Sequence, residues 1–172
     1  MVLAQATALR HQLESEQNLA NACLAGSAAA VAAALVWAGI GLATGYEVRF
    51  MAIAVGFLVG FSVRLAGKGI SATFGAVGVA TTLLGCGLGN LLTVTVIISG
   101  EQGLTVVRVL SELDYELALE LLMAFYQPID SLYYTVALFQ GYNLAFRRLS
   151  EAELALLVGR DDQQTSGTGP LE

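Results

Sequence analysis

Histidine and cysteine are almost missing from this chain: one histidine, His11, and two cysteines, Cys23 and Cys86, stand among 172 residues. A structural zinc site takes four Cys or His ligands, and nucleophilic catalysis of the Ser/His/Asp or Cys/His kind needs an imidazole beside the nucleophile. His11 lies in a polar N-terminal segment with neither cysteine nor a second histidine nearby. Metal sites of that type, such nucleophilic sets and any cofactor are therefore not expected. Cys23 and Cys86 sit in or beside apolar runs, where a small hydrophobic role is usual and a disulfide framework is not. Charge is scarce as well, at 13% against about 25% in an ordinary soluble domain. The balance is acidic, with a net charge of -6, which argues against a nucleic-acid partner.

What is present in excess is apolar side chain and glycine: 56% hydrophobic residues and 19 Gly. That composition reads as an integral membrane protein. Residues 1–21 carry Leu3, Leu9, Leu13 and Leu19 among polar residues, an amphipathic segment on the cytoplasmic side. The apolar core that follows is too long for a cleaved leader, so about 23–46 is expected as a retained span. Tyr46-Glu47-Val48-Arg49-Phe50 is a tight turn at the headgroup level. A second span follows at about 51–66, and a third at about 72–98, joined by Gly67-Lys68-Gly69.

Gly56 and Gly60 form a small-xxx-small pair in the second span. In the third, Gly75, Gly78, Thr82, Gly85, Gly89 and Thr93 recur every three or four residues, a stripe about 80° wide on a helix. Val77, Leu84, Leu88 and Leu91 project to the opposite side. Close backbone approach along such glycine seams holds helices together in lipid, and the chain is expected to pack into a homo-oligomer through them.

Between residues 104 and 126 the charges are too dense for a span. Ser111-Glu112-Leu113-Asp114 reads as a capping box opening an amphipathic surface helix over 111–126. Its apolar face is Leu113, Leu117, Leu121 and Ala124, and Glu112, Glu116 and Glu120 stack as an acidic ladder able to attract cations. Pro128 ends or breaks it. The segment 129–146 is short and contains Asp130, Gln140 and Asn143, and charge counting decides its status. If it spans, Arg10, Arg64, Lys68, Arg147, Arg148 and Arg160 share one side, and only Arg49 and Arg108 lie on the other. If it does not, that bias disappears. The positive-inside rule then gives four spans with both termini cytoplasmic. A second capping box, Ser150-Glu151-Ala152-Glu153, opens a short cytoplasmic helix, followed by a polar, Gly-rich tail expected to be disordered.

Lys68 stands between glycines, but the spacing is wrong for a phosphate-binding loop, which is G-x-x-x-x-G-K-[ST] after a strand. Arg64 and Lys68 instead offer a cationic turn that either anchors topology or holds an anionic lipid headgroup. Asn90 is the polar residue whose depth makes it costly, and an amide there needs an interhelical partner or a hydrated path. Thr82 and Thr93 share its helix and join it as solute or pore candidates. Asp130 either caps the fourth span or meets a basic residue.

Gly67-Lys68-Gly69-Ile70, Leu84-Gly85-Cys86, Gly89-Asn90, Pro128-x-Asp130 and Gly141-Tyr142 resemble a family of uncharacterised bacterial membrane proteins, small and multi-span, over residues 50–146. The resemblance implies a bacterial inner-membrane setting and no activity. The expectation is an all-α bundle of four transmembrane helices with an amphipathic surface helix between spans three and four. The leading function is a non-enzymatic, homo-oligomeric channel or transporter for a small solute or ion. The alternative is a scaffold or interaction protein that binds lipid headgroups or partner proteins. A hydrated cavity at Asn90 would favour transport, and an Asn90 sealed between helices would favour the scaffold.

Overall fold

The computed structural model describes residues 17–147. Residues 1–16, including His11, and the helix and tail expected after residue 149 lie outside the described residues. Within them the chain is all helical, with six helices and no strand. They are α1 (Leu19–Thr44), α2 (Met51–Gly67), α3 (Ala72–Gln102), α4 (Val106–Glu112), α5 (Tyr115–Phe125) and α6 (Pro128–Leu144).

Local chemistry explains most of the boundaries. The Asn18 side chain accepts from Asn21 N–H at 2.9 Å and starts α1, and Gly45 ends it in the left-handed region at φ 70°. Gly103 ends α3 in the same way at φ 65°; both are the usual glycine stop. Between α2 and α3 the left-handed position is taken by Lys68 (φ 48°), not by a flanking glycine. Gly69 is needed there for another reason: a Cβ at that position would run into the ring of Phe74.

The surface helix departs from the expected single element over 111–126. Ser111 bonds back to the Arg108 carbonyl and closes α4, and Asp114 is the residue that caps, accepting from Leu117 N–H at 2.8 Å. The break falls at Leu113 and Asp114 because an Asp side chain competes well for free amide groups at a helix start. The half-buried positions of α5 are Ala118, Leu121, Leu122 and Phe125, with Leu117 and Ala124 exposed, so its inward face is turned from the expected one.

The two long helices run parallel, with Gly26 of α1 beside Thr81 of α3 and Gly41 beside Thr93. The two short ones also run parallel to each other, with Gly56 against Ala137 and Gly60 against Leu144. At one end Asn18 N–H donates to the Gly67 carbonyl and Arg147 N–H to the Gly69 carbonyl, both at 2.9 Å. That end therefore holds the start of α1, the α2–α3 turn and the end of α6. At the other end the helices are not level. The Cys86 thiol lies 3.9 Å from the Ala52 carbonyl, so α2 begins beside the middle of α3. From Cys86, α3 continues for roughly 24 Å at about 1.5 Å per residue. The short pair thus starts part-way up the long pair, and α5 folds back against α3 near Leu83 to Asn90.

The core is built from small residues: Ala22, Ala30, Val55, Val59 and Val63 are fully buried, with Trp37 and Phe74 as its large members. The glycine stripe of α3 faces this core. A Cβ at Gly85 would stand 2.8 Å from Val55 and 3.2 Å from Ala30, one at Gly89 2.6 Å from the Trp37 ring, and one at Gly75 2.6 Å from the Tyr142 ring. One at Gly78 would collide with the Gly141 carbonyl. These seams are occupied by the chain's own helices, so a second copy must use another face. On the opposite side Leu84 is exposed, and Val77, Leu88 and Leu91 are half-buried.

α1 and α3 are long and apolar enough to cross a membrane. α2 and α6 have 17 residues each, about 25 Å of helix. Large apolar side chains stand exposed on all four, among them Leu35, Leu42, Phe57, Phe61, Leu84 and Phe139.

Candidate functional site

The uneven helix ends create a polar cluster where α2 and α6 begin. Asp130 is the third residue of α6, and its carboxylate accepts from Gln127 N–H at 2.7 Å, which caps the helix. Its second oxygen lies 2.9 Å from Arg49 Nε, an ion pair by distance whose N–H is turned off the line of contact. Both roles open to Asp130 in the sequence are filled at once. Arg49 Nη2 also holds Glu47 at 2.8 Å. Two carboxylates thus share one guanidinium, and the cluster carries one surplus negative charge.

Burial separates the two acids. The Asp130 side chain is 4% exposed and that of Glu47 12%. The Glu47 pKa is raised from 4.5, first by burial and further by Asp130, while Arg49 opposes the shift. A pocket of about 360 Å³ opens beside them, lined by Glu47, Val48, Arg49, Phe50, Ile129 and Tyr133.

Asn90 lies deeper, on α3. It is 3% exposed, and its Nδ2 donates to the Tyr134 hydroxyl of α6 at 3.1 Å. Its Oδ1 is buried without a partner. A cavity of about 440 Å³ runs along this spot, with Leu83, Cys86, Gly87 and Asn90 on the α3 side, Leu119, Leu122, Met123 and Tyr126 on the α5 side, and Tyr134 from α6. Tyr134 lies about one helical turn beyond Asp130 on α6, and Tyr133 lines the pocket beside Glu47 and Arg49, so the two polar features are neighbours.

The other expected site residues are dispersed. Thr93 spends its hydroxyl on the Gly89 carbonyl at 2.7 Å, the back-bond that Thr commonly makes inside a helix. Thr82 is fully buried with its Oγ1 unpartnered, close to Gly141. Arg64 and Lys68 are exposed at the opposite end of the bundle. The acidic ladder is interrupted: Glu112 closes α4 and pairs with Arg108 at 3.4 Å, whereas Glu116 and Glu120 lie one turn apart on α5, both exposed. Among the described residues no group of three or more His, Cys, Asp or Glu is placed to hold a metal ion.

The Arg49 contact was within reach of the sequence, since Asp130 had a basic partner among its options, but nothing in the spacing selects Arg49. The loop's descent along α3 does. The Asn90–Tyr134 bond had even less signal, because Tyr134 reads as one of an aromatic pair at a helix start. No family model, no curated protein and no solved structure matches the chain.

Proposed function

We propose that the chain is a four-span, non-enzymatic membrane protein that works by holding a ligand or partner within the bilayer, not by conducting solute through its own centre. The exposed apolar side chains on α1, α2, α3 and α6 fit a lipid-facing belt. The short helices are at the lower limit of about 17 residues for a span. Arg64, Lys68 and Arg147 gather at the end where α6 returns to the α2–α3 turn, and Arg49 and Arg108 belong to the other. The positive-inside rule puts the first end in the cytoplasm, in keeping with the resemblance to bacterial inner-membrane proteins. There the exposed Arg64 and Lys68 are suited to anionic headgroups. Any homo-oligomer uses the aliphatic faces, since the glycine seams are filled from within.

The observation that carries this reading is Asn90, 3% exposed and bonded across to Tyr134 in the wall of a pocket between α3, α5 and α6. Most of that wall is apolar, with Leu83, Leu119, Leu122 and Met123 in it, which suits a held ligand better than a water-filled path. Thr93, the next polar residue up the stripe, is closed on its own helix. The test is solute and ion flux into liposomes carrying the purified protein, beside an Asn90→Leu variant. No flux under any gradient is expected, and flux lost on that substitution overturns the reading.

A second reading, a carrier, is favoured by the Glu47–Arg49–Asp130 cluster. Buried ionisable groups in membrane proteins commonly mark solute or proton paths. Saturable flux that disappears in Glu47→Gln would establish the carrier in place of the binding protein.

A further inference from the structure

We infer that the cavity between α3, α5 and α6 is a binding site for an amphiphile whose polar end is a single hydroxyl group. This deepens the proposed binding role and names its ligand class. The cavity holds about 440 Å³, inside the range of roughly 300–1,000 Å³ of small-molecule sites. Most of its wall is aliphatic or aromatic, and Leu83 and Met123 stand in it at 56% and 69% exposure, so it communicates with the medium around the bundle. In a bilayer that medium is acyl chain.

The polar part of the wall has a definite sense. Asn90 is 97% buried as a residue and its Oδ1 has no partner, a costly state for an amide oxygen. Because Nδ2 donates to the Tyr134 oxygen, the tyrosine keeps its own hydrogen to give. The cavity wall therefore contains one unused acceptor, Asn90 Oδ1, and one unused donor, Tyr134 O–H, on neighbouring side chains. A hydroxyl group is their complement, since it donates one hydrogen and accepts another. A carboxylate or phosphate has no hydrogen for Asn90 when ionised and would bring a charge into an apolar wall. An ether or ester can only accept. The occupant is thus a neutral long-chain alcohol, with either a diacylglycerol or an isoprenoid alcohol as its source.

The test uses the full chain in phosphatidylcholine nanodiscs and a photoactivatable diazirine analogue of hexadecanol, compared with its methyl ether. Labelled peptides are mapped by mass spectrometry. The alcohol is expected to label the segments around Gly87 and Met123 about tenfold more than the ether. Gly87→Leu adds a side chain at the cavity wall, where a Cβ meets no heavy atom within 4 Å. It should keep or raise the thermal unfolding midpoint and lose the label. Asn90→Leu should label with both probes and lose the preference. Excess dioleoylglycerol or farnesol, whichever competes, identifies the source, and competition by neither overturns the inference. Equal labelling by alcohol and ether in the unaltered chain overturns the hydroxyl specificity and leaves the binding role standing. Labelling that survives Gly87→Leu, or maps elsewhere, overturns the site. The liposome flux result decides the binding role independently of all these outcomes.

Discussion

Arg49 Nε lies 2.9 Å from Asp130 Oδ1 and ties the start of α2 to the start of α6. The two residues are 81 positions apart in the chain, and the pair sets the level at which both short helices begin. Removing one partner of such a buried pair leaves the other charge uncompensated, which costs about 3–5 kcal/mol. Asp130→Ala also removes the acceptor of Gln127 N–H, which adds to its cost. Arg49 keeps Glu47 as a partner and is 26% exposed on its side chain, which lowers the loss. Replacing both residues, as Arg49→Met with Asp130→Leu, is expected to cost less than the sum of the single changes. Unfolding in detergent measured over this double-mutant cycle gives the coupling, and strict additivity would remove the pair from the list of fold-determining contacts.

Glu47 supplies a pH dependence whose sign follows from its burial. Its pKa is raised in the folded protein, so the folded state binds the proton more tightly than the unfolded one. Above the raised value the carboxylate is charged in both states and its burial weakens the fold. As pH falls through that value the penalty is relieved, and relief is complete below the unfolded value near 4.5. Arg49 and Asp130 are the charged neighbours that remain, as a one-to-one pair. Glu47→Gln should therefore be the more stable protein at pH 7, with the advantage shrinking as pH falls toward 4.5. Thermal unfolding of both proteins across that window measures it, and a constant difference would rule the titration out.

Much of the architecture was legible because glycine and apolar spacing respond to one dominant physical demand, close helix packing. The boundaries of α1, α2, α3 and α6 lie within a few residues of the expected spans, and the stripe from Gly75 to Gly89 does face neighbouring helices. Depth was not legible. The turn around Glu47 and Arg49 reads as a tight loop, and the contacts of Ala52 with Cys86 and of Val55 with Gly85 reveal that it runs down beside α3. The same limit hid Tyr134 as the partner of Asn90. Hydrophobic periodicity gives the face of a helix, not its axial offset from a neighbour. The break between α4 and α5 was missed for a local reason, since Ser111 and Asp114 are both good caps and the sequence does not rank them.

Glycines in the seams should tolerate substitution according to what stands opposite. A Cβ at Gly56 meets the backbone carbonyl of Ala137, and one at Gly78 meets that of Gly141. A carbonyl in a helix cannot swing aside, so Gly56→Ala or Gly78→Ala should destabilise by about 1–3 kcal/mol, the usual cost of overpacking. Gly87 and Gly39 face open space. Alanine there should stabilise by about 0.5–1 kcal/mol through helix propensity alone. Unfolding free energies of the four variants test the contrast. Equal effects at Gly56 and Gly87 would mean that α2 and α6 are not in backbone contact.

Topology decides whether α2 and α6 are spans, and the fold makes a two-sided prediction about it. Ser71 and Glu116 are both exposed. Ser71 belongs to the end where Arg147 N–H meets the Gly69 carbonyl, whereas Glu116 follows the far end of α3. Four crossings place them on opposite sides of the membrane, with the basic cluster at the Ser71 end inside. Cys86 is buried and Cys23 exposed, so a Cys23→Ala background leaves no accessible thiol among the described residues. In that background a membrane-impermeant maleimide added to right-side-out spheroplasts should modify Glu116→Cys and spare Ser71→Cys until the membrane is permeabilised. Modification of both from outside would mean that α3 does not cross, because it separates the two positions. Protection of both until permeabilisation would leave the α3–α5 end inside as well and reduce the crossings to none or to α1 alone. Only the one-sided result keeps the uneven bundle, with its charge cluster at the start of the short helices, inside a bilayer.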